Sequence, residues 1–302
     1  MQNKTIVAVG SVALDSVETP FGKRDDALGG SATFFSAAAR FFAPVHVVAV
    51  VGDDFPKKHI ALLQKLGVDT SGVRTVPGKT FRWQGYYGFD LNSAKTLKTE
   101  LGVFQDFKPS LSNESRRARF VFLGNIDPAL QLSVLEQMRA PELTACDTMN
   151  YWIGGKKKEL LKLLKKINIF LCNDAEARQL TGEPNLVQAA RAVLALGPKL
   201  VVIKKGEHGV LCFSKKFIFS APAYPLESVF DPTGAGDSFA GGFFGYLTRS
   251  PKLAESVVRK AIVTGSVIAS YNVESFSLDR LAALRPADIL KRYRAIDHLT
   301  RF

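Results

Sequence analysis

Asp231-Pro232-Thr233-Gly234-Ala235-Gly236-Asp237-Ser238-Phe239-Ala240-Gly241-Gly242-Phe243 is the stretch on which the reading of this chain turns. Before it, Ala221-Pro222-Ala223-Tyr224-Pro225 reads as an extended segment ending in a turn. After it, Phe239, Phe243, Tyr246 and Leu247 recur at three- and four-residue spacing, the apolar face of a helix. The glycines therefore fall in the first turn of that helix, where backbone N–H groups lack intrahelical partners. Small residues there let a ligand approach the backbone, and free amides plus the helix dipole make an anion site. Asp237 is the odd member. From the residues alone two readings stand: a capped helix start with Asp237 complementing the dipole, or a phosphate cradle beside a carboxylate that accepts the proton of the attacking group.

Working outward, apolar strands alternate with helices. Thr5–Val9 and Val45–Val51 read as strands, with an Ala-rich helix from Ser31, its candidate N-cap, and a helix over Lys57–Leu66. Strands follow at Phe120–Leu123, Leu143–Cys146, Ile167–Cys172 and Leu200–Ile203, separated by helical patterns, and at Val210–Phe213 after a glycine-containing hairpin turn over Lys204–Gly209. Helices over Phe239–Leu247, Leu253–Tyr271 and near Ala287–Tyr293 close the chain. Two segments break this rhythm. Ser11 to Leu28 mixes turn formers and charges, and Val73 to about Lys108 is aromatic, β-prone and broken by glycines. The expectation is one α/β domain over residues 1–302, with a mostly parallel sheet covered on both faces. A small β lid forms from about 12–28 and 75–108.

Composition limits the function classes. A chain of 302 residues with 46% hydrophobic and 10% aromatic residues can bury a large core, which excludes general disorder. Cys146, Cys172 and Cys212 lie in or beside apolar runs without disulfide or metal spacing, as in a reducing compartment, and the expected location is cytoplasmic. Ile6–Val9 is too short an apolar run for a signal peptide or membrane span. The net charge of +12 suits nucleic acid, an anionic membrane or a phosphate-rich substrate. The densest basic run, Lys156 to Lys166, segregates leucines from lysines as an amphipathic surface helix. No aromatic-interleaved basic motif is present, so neither nucleic acid nor membrane is the expected partner.

The run Asp231 to Phe239 resembles the C-terminal signature of the ribokinase-like, or PfkB, family of sugar and nucleoside kinases, and lies about three quarters along the chain as it does there. The resemblance implies a ribokinase-like three-layer αβα sandwich with a β lid, and transfer of the γ-phosphate of ATP to a hydroxyl of a small sugar. It implies Asp237 as catalytic base and the amides of Gly234, Ala235 and Gly236 as the anion hole. Asp15 and the pair Gly29-Gly30 would meet the sugar, with Arg82 and the aromatics Phe81, Trp83 and Tyr86 covering it from the lid. Asn173 and Glu176 match the Asn-x-x-Glu motif that organises water-bound Mg2+ beside the phosphates; a helix cap explains them equally well. Lys204, Gly206 and Gly209 would line the nucleotide site, with Gly265 and Ala269 walling the adenine. Asp231 and Thr233, with main-chain oxygens near Asn272–Ser277, match a potassium-like cation site. Where subunits associate, the expected assembly is a homodimer through the lid.

The sequence departs from ribokinases proper at two positions. Phe34 stands where an Asn follows the glycine pair, and Ala13 where an Asn precedes the substrate Asp. Both argue for an acceptor less polar than ribose, or differently shaped. A nucleoside kinase of the adenosine or inosine type and a catalytically silent ligand-binding module of the same fold are the alternatives. Vitamin kinases for hydroxymethylpyrimidine or pyridoxal fit the N-terminal motif less well. Gly72 to Thr80 imitates a P-loop but has five residues between its glycines where four are required, and Pro77 lacks an N–H. His46, His59, His208 and His298 have no zinc spacing.

Overall fold

The computed structural model describes residues 4–250 and 252–301. In chain order the strands are β1 (Ile6–Val9), β2 (Ala13–Thr19), β3 (Gly22–Gly29), β4 (Val45–Gly52), β5 (Val68–Val76), β6 (Arg82–Tyr87), β7 (Ala94–Glu100), β8 (Phe120–Leu123), β9 (Leu143–Cys146), β10 (Ile169–Asn173), β11 (Leu200–Lys204), β12 (Val210–Ser214) and β13 (Ile218–Ala221). The helices are α1 (Ser31–Ala39), α2 (Lys57–Lys65), α3 (Pro128–Gln137), α4 (Asn150–Gly155), α5 (Lys157–Leu164), α6 (Asp174–Thr181), α7 (Leu186–Leu196), α8 (Ala235–Leu247), α9 (Glu255–Asn272), α10 (Asp279–Ala283) and α11 (Pro286–Leu299).

Nine strands form one sheet in the order β13-β12-β11-β10-β9-β8-β1-β4-β5. From β11 to β5 every neighbour runs parallel, while β12 and β13 return antiparallel at one edge. Side chains alternate across it as the pleat requires. Ile6 and Ala8 enter the core shared with α1, α8 and α9, whereas Val7 and Val9 enter a second core beneath α3, α5, α6 and α7. Apolar residues on both strand faces thus give a sheet with helices on each side, the three-layer sandwich expected. The basic run folds as α5, burying Leu160, Leu163 and Leu164 and leaving its lysines on the outer face.

The second sheet has four strands, ordered β3-β2-β6-β7. It is the lid, with a narrower second segment than 75–108. Val68–Val76 pairs with β4 as an edge strand of the large sheet, and Phe104 and Phe107 sit in the second core. Of that second segment only β6, β7 and their connection join β2 and β3 in the lid. Two further boundaries differ from expectation. Gly30, not Ser31, caps α1, because its φ of +97° makes a turn that puts Ser31 already in the helix. Helix α8 starts at Ala235, four residues ahead of its apolar stripe.

Helix α8 is the central element of its layer. Gly241 lies against α1, where an added Cβ would come 2.3 Å from the Phe35 carbonyl oxygen. Such close approach fixes the height of α8 over the sheet, and with it the position of its N-terminus. Among the described residues no helix is long and apolar enough to cross a membrane.

Candidate active site

The N-terminus of α8 lies near the C-terminal ends of β10 and β11, with Gly236 next to Lys204. Gly234 is its N-cap with φ +74°, a left-handed conformation. The amide of Ala235 donates to the Pro232 carbonyl at 3.1 Å, and that of Ser238 to the Gly234 carbonyl at 2.8 Å. Among the described residues the amides of Gly234 and Gly236 have no partner in the chain. The expected trio of donors is therefore a pair in this conformation, because the turn at Pro232 takes up the Ala235 N–H.

Lys204 ends β11 and is aligned with Asn173 at the end of β10. Its side chain forms an ion pair with Asp147, and its ammonium lies 3.1 Å from where a Cβ on Gly236 would stand. A cation thus lies next to the turn that carries the unpaired amides. Burial works against the Lys204 charge, but Asp147 and Glu176 outweigh it and hold the ammonium above the ordinary lysine range. Asp237 is partly buried beside it. Burial, then the charge of Asp147, push its carboxyl up to about 7, against the pull of Lys204 and its own backbone N–H.

Asn173 and Glu176 form a reciprocal capping box at the start of α6. The Glu176 amide donates to Asn173 Oδ1 at 2.7 Å, and the Asn173 amide to Glu176 Oε2 at 2.7 Å. The cap and the binding reading are compatible. Glu176 is 8% exposed and keeps a second carboxylate oxygen, and burial pushes it up to about 7 despite Lys204. Among the described residues no three His, Cys, Asp or Glu side chains cluster to hold a metal directly.

On the acceptor side, Asp15 stands in β2 against Gly29 of β3. A Cβ on Gly29 would fall 1.9 Å from Asp15 Oδ2, which accepts the Gly30 N–H at 3.3 Å. Burial pushes Asp15 up to about 7; the Gly30 bond opposes this, and Asp231 and Asp237 add to it. Asp15, Leu28, Phe34, Asp231, Thr233 and Ser277 line a cavity of about 10 Å3, room for about one water. Asp231 accepts the Thr233 and Ser277 amides at 2.9 and 3.2 Å, and Asn272 Nδ2 donates to the Thr233 carbonyl at 2.8 Å. This ties the loop before α8 to the end of α9.

Other expected residues are engaged in contacts of their own. Arg82 donates to Asp54 at 2.8 Å and to Asp26 at 3.3 Å, so it braces the root of the lid. Burial raises the Asp54 carboxyl, but Thr80 and Arg82 outweigh it and bring it to about 2. Trp83 donates to Thr96 within the lid, and Phe81 stacks on Phe104. Gly265 faces Phe239 of α8, where a Cβ would sit 2.8 Å from the carbonyl oxygen, so helix packing explains its size; Ala269 is half-buried beside the first core. A Cβ on Gly209 would meet the Ala221 carbonyl at 2.2 Å, and Gly206 touches Asn92 at the lid tip.

Two residues of the site were missed in the sequence. Asp147 directly follows β9, and the rule that ligands gather beyond strand C-termini singles out that position. Tyr87 is the lid aromatic that turns inward: 8% exposed, it accepts the Thr233 hydroxyl at 3.5 Å. Its place among the five aromatic residues between Phe81 and Phe89 gave no sign of which one would.

A mostly parallel sheet covered on both faces thus carries a strand lid, with Asp15, Asp231 and Asp237 gathered near the N-terminus of α8. The chain belongs to the pfkB family carbohydrate kinases, whose family description matches residues 6–279. It is 34% identical over 260 residues to the cytidine kinase of Thermococcus kodakarensis, covering 83% of this chain and 91% of that protein. To the deoxyribokinase of Salmonella typhi it is 26% identical over 247 residues, 75% of this chain and 76% of that one. Among solved structures, the nucleoside kinase of Burkholderia thailandensis in complex with inosine superposes with a TM-score of 0.80 at 18% identity, covering 96% and 97% of the two chains. A putative ribokinase II from E. coli in complex with ATP and Mg2+ gives 0.78 at 17% identity, covering 96% and 99%. The chain is thus an ATP-dependent kinase for a sugar-like acceptor.

Proposed function

We propose that Asp237 is the base and the N-terminus of α8 the phosphoryl site of a kinase whose acceptor is a sugar hydroxyl carried on a nucleoside. One observation carries the reading. The unpaired Gly234 and Gly236 amides, the Lys204 ammonium and the Asp237 carboxylate lie together at the end of the parallel strands. Asp15, backed by Gly29, sits across the cleft and accepts hydrogen bonds from acceptor hydroxyls. With its carboxyl near 7, Asp237 is better matched to taking a proton at neutral pH than an ordinary aspartate. The amides hold charge on the group in transfer without having to reorganise.

The residues present fit ATP and Mg2+. A Cβ would fill the cradle at Gly236, and Glu176 retains an oxygen for a metal-bound water beside Asn173. Lys204, Asn173 and the Gly206–Gly209 turn would hold the nucleotide, and Glu176 would hold, through water, a Mg2+ that would offset charge on its phosphates. Asp231, Thr233 and main-chain oxygens near Asn272–Ser277 would hold K+. The cavity beside Asp15 is far smaller than a sugar, so the lid opens to admit the acceptor.

Nucleosides rank ahead of free sugars because the cytidine kinase matches most of this chain and Phe34 removes a polar contact from the cleft. Free sugar remains the second reading, favoured by the deoxyribokinase match. ADP release measured across pyrimidine and purine nucleosides, ribose, deoxyribose and fructose, with and without K+, tests both. The expected result is turnover highest with a nucleoside and stimulated by K+. Release of ADP with none of these acceptors would overturn the kinase reading.

A further inference from the structure

Lys204 is a long, flexible side chain, and nothing in its own strand holds the ammonium over Gly236. Asp147 does. Its backbone is fixed on both sides, with the amide donating to the Leu123 carbonyl at 3.0 Å and the carbonyl accepting Gln131 Nε2 at 3.1 Å. Its Oδ1 accepts the Thr148 amide at 2.9 Å, which turns Oδ2 toward Lys204. Asp147 is 3% exposed, so this carboxylate has no solvent-facing alternative. Glu176, from α6, and Asp237, from α8, also face the ammonium, yet only Asp147 pairs with it directly.

We infer that Asp147 is a positioning residue that holds the Lys204 ammonium at the α8 N-terminus, and that this pair sets the preference for a nucleoside triphosphate over a diphosphate. The inference rests on the reading of α8 as the phosphoryl site. Gly236 adjoins Asp237, the proposed base, so an ammonium held 3.1 Å from its Cβ position would meet the phosphate in transfer, which is the terminal one. A diphosphate ends short of that point and gains nothing from the pair. Without Asp147 the lysine spreads over its rotamers and the contact is lost even though the charge remains.

The test is calorimetric binding of Mg2+ with a non-hydrolysable ATP analogue and with ADP, to the full chain and its variants. The wild type is expected to bind the triphosphate at least tenfold tighter than the diphosphate. Lys204→Met and Asp147→Asn should each remove most of that ratio, and the double variant should do no more than Lys204→Met alone. Asp147→Glu moves the carboxylate by one methylene and should lower the ratio partway; it carries the test if Asp147→Asn does not fold. A merely structural role would lower the melting temperature and leave the ratio unchanged. An unchanged ratio in the Asp147 variants, or additive effects in the double variant, overturns the inference while the kinase reading stands. A wild type that binds neither nucleotide overturns both.

Discussion

The ring of Phe34 lies flat against Gly234, so close that a Cβ on Gly234 would fall 2.3 to 2.4 Å from three ring atoms. This contact joins the first turn of α1 to the N-cap of α8, two positions 200 residues apart in the chain. It occupies the place where ribokinases proper carry a polar side chain, and it requires a left-handed glycine beneath the ring.

Gly234→Ala is therefore expected to lose stability twice, through the left-handed backbone at about 1–2 kcal/mol and through overpacking at about 1–3 kcal/mol. Urea unfolding measures the sum. Adding Phe34→Ala should relieve only the overpacking, so a double variant as stable as the wild type would contradict this account.

Asp237→Asn should lower kcat by about 10²- to 10⁴-fold while nucleotide affinity changes little. With the carboxyl at about 7, the rate of the wild type should fall as pH drops through 7, because the protonated form accepts no proton. Asp15 lies in the same range and is coupled to it, so the limb belongs to the carboxylates together. Stability follows the opposite trend. Between about 4 and 7 the folded state binds more protons than the unfolded one, so each raised carboxylate makes stability fall as pH rises. Melting temperatures at pH 5 and 8 should differ less for Asp237→Asn than for the wild type.

Asp15→Ala should raise the KM for the acceptor by about 10- to 100-fold, the worth of a hydrogen bond to a charged group, with little change in nucleotide binding. Gly29→Ala should act in the same direction, since its methyl displaces Asp15 Oδ2. Initial rates at varied acceptor and fixed ATP separate the two constants. A Gly29→Ala enzyme with an unchanged acceptor KM would show that Asp15 has room to move.

Arg82→Ala tests whether that residue meets substrate or braces the lid. Its partner Asp54 is 14% exposed at the side chain, so truncation should lower stability by about 1–3 kcal/mol. Acceptor KM should move less than in Asp15→Ala. The depressed Asp54 carboxyl contributes stability above about 4, lost as pH falls through about 2, so the gap between Arg82→Ala and wild type should narrow in acid. Denaturant midpoints at pH 3 and 7 check this.

Much of the site was legible because its signals are local. The glycines and Asp237 announce a helix start with spare amides, and Asn173 with Glu176 spells a capping box, each within a few neighbouring residues. Assignments that depended on where a side chain points were harder. Arg82 and Gly265 have residue types suited to binding, yet the first is consumed by Asp54 and Asp26 and the second by Phe239. Among the lid aromatics only the register of β6 decides that Tyr87 faces inward and Tyr86 outward.

Periodicity and capping chemistry, which act over one or two turns, let the sequence by itself determine the alternating α/β layers, the presence of two segments outside that rhythm, and helix α8 with its glycine-rich start. The tertiary structure alone decided that Asp147 would meet Lys204. The strand order places β10 between β9 and β11, so two residues 57 positions apart come within reach across an intervening strand end. No local pattern encodes that meeting, because it follows from packing every strand and helix at once.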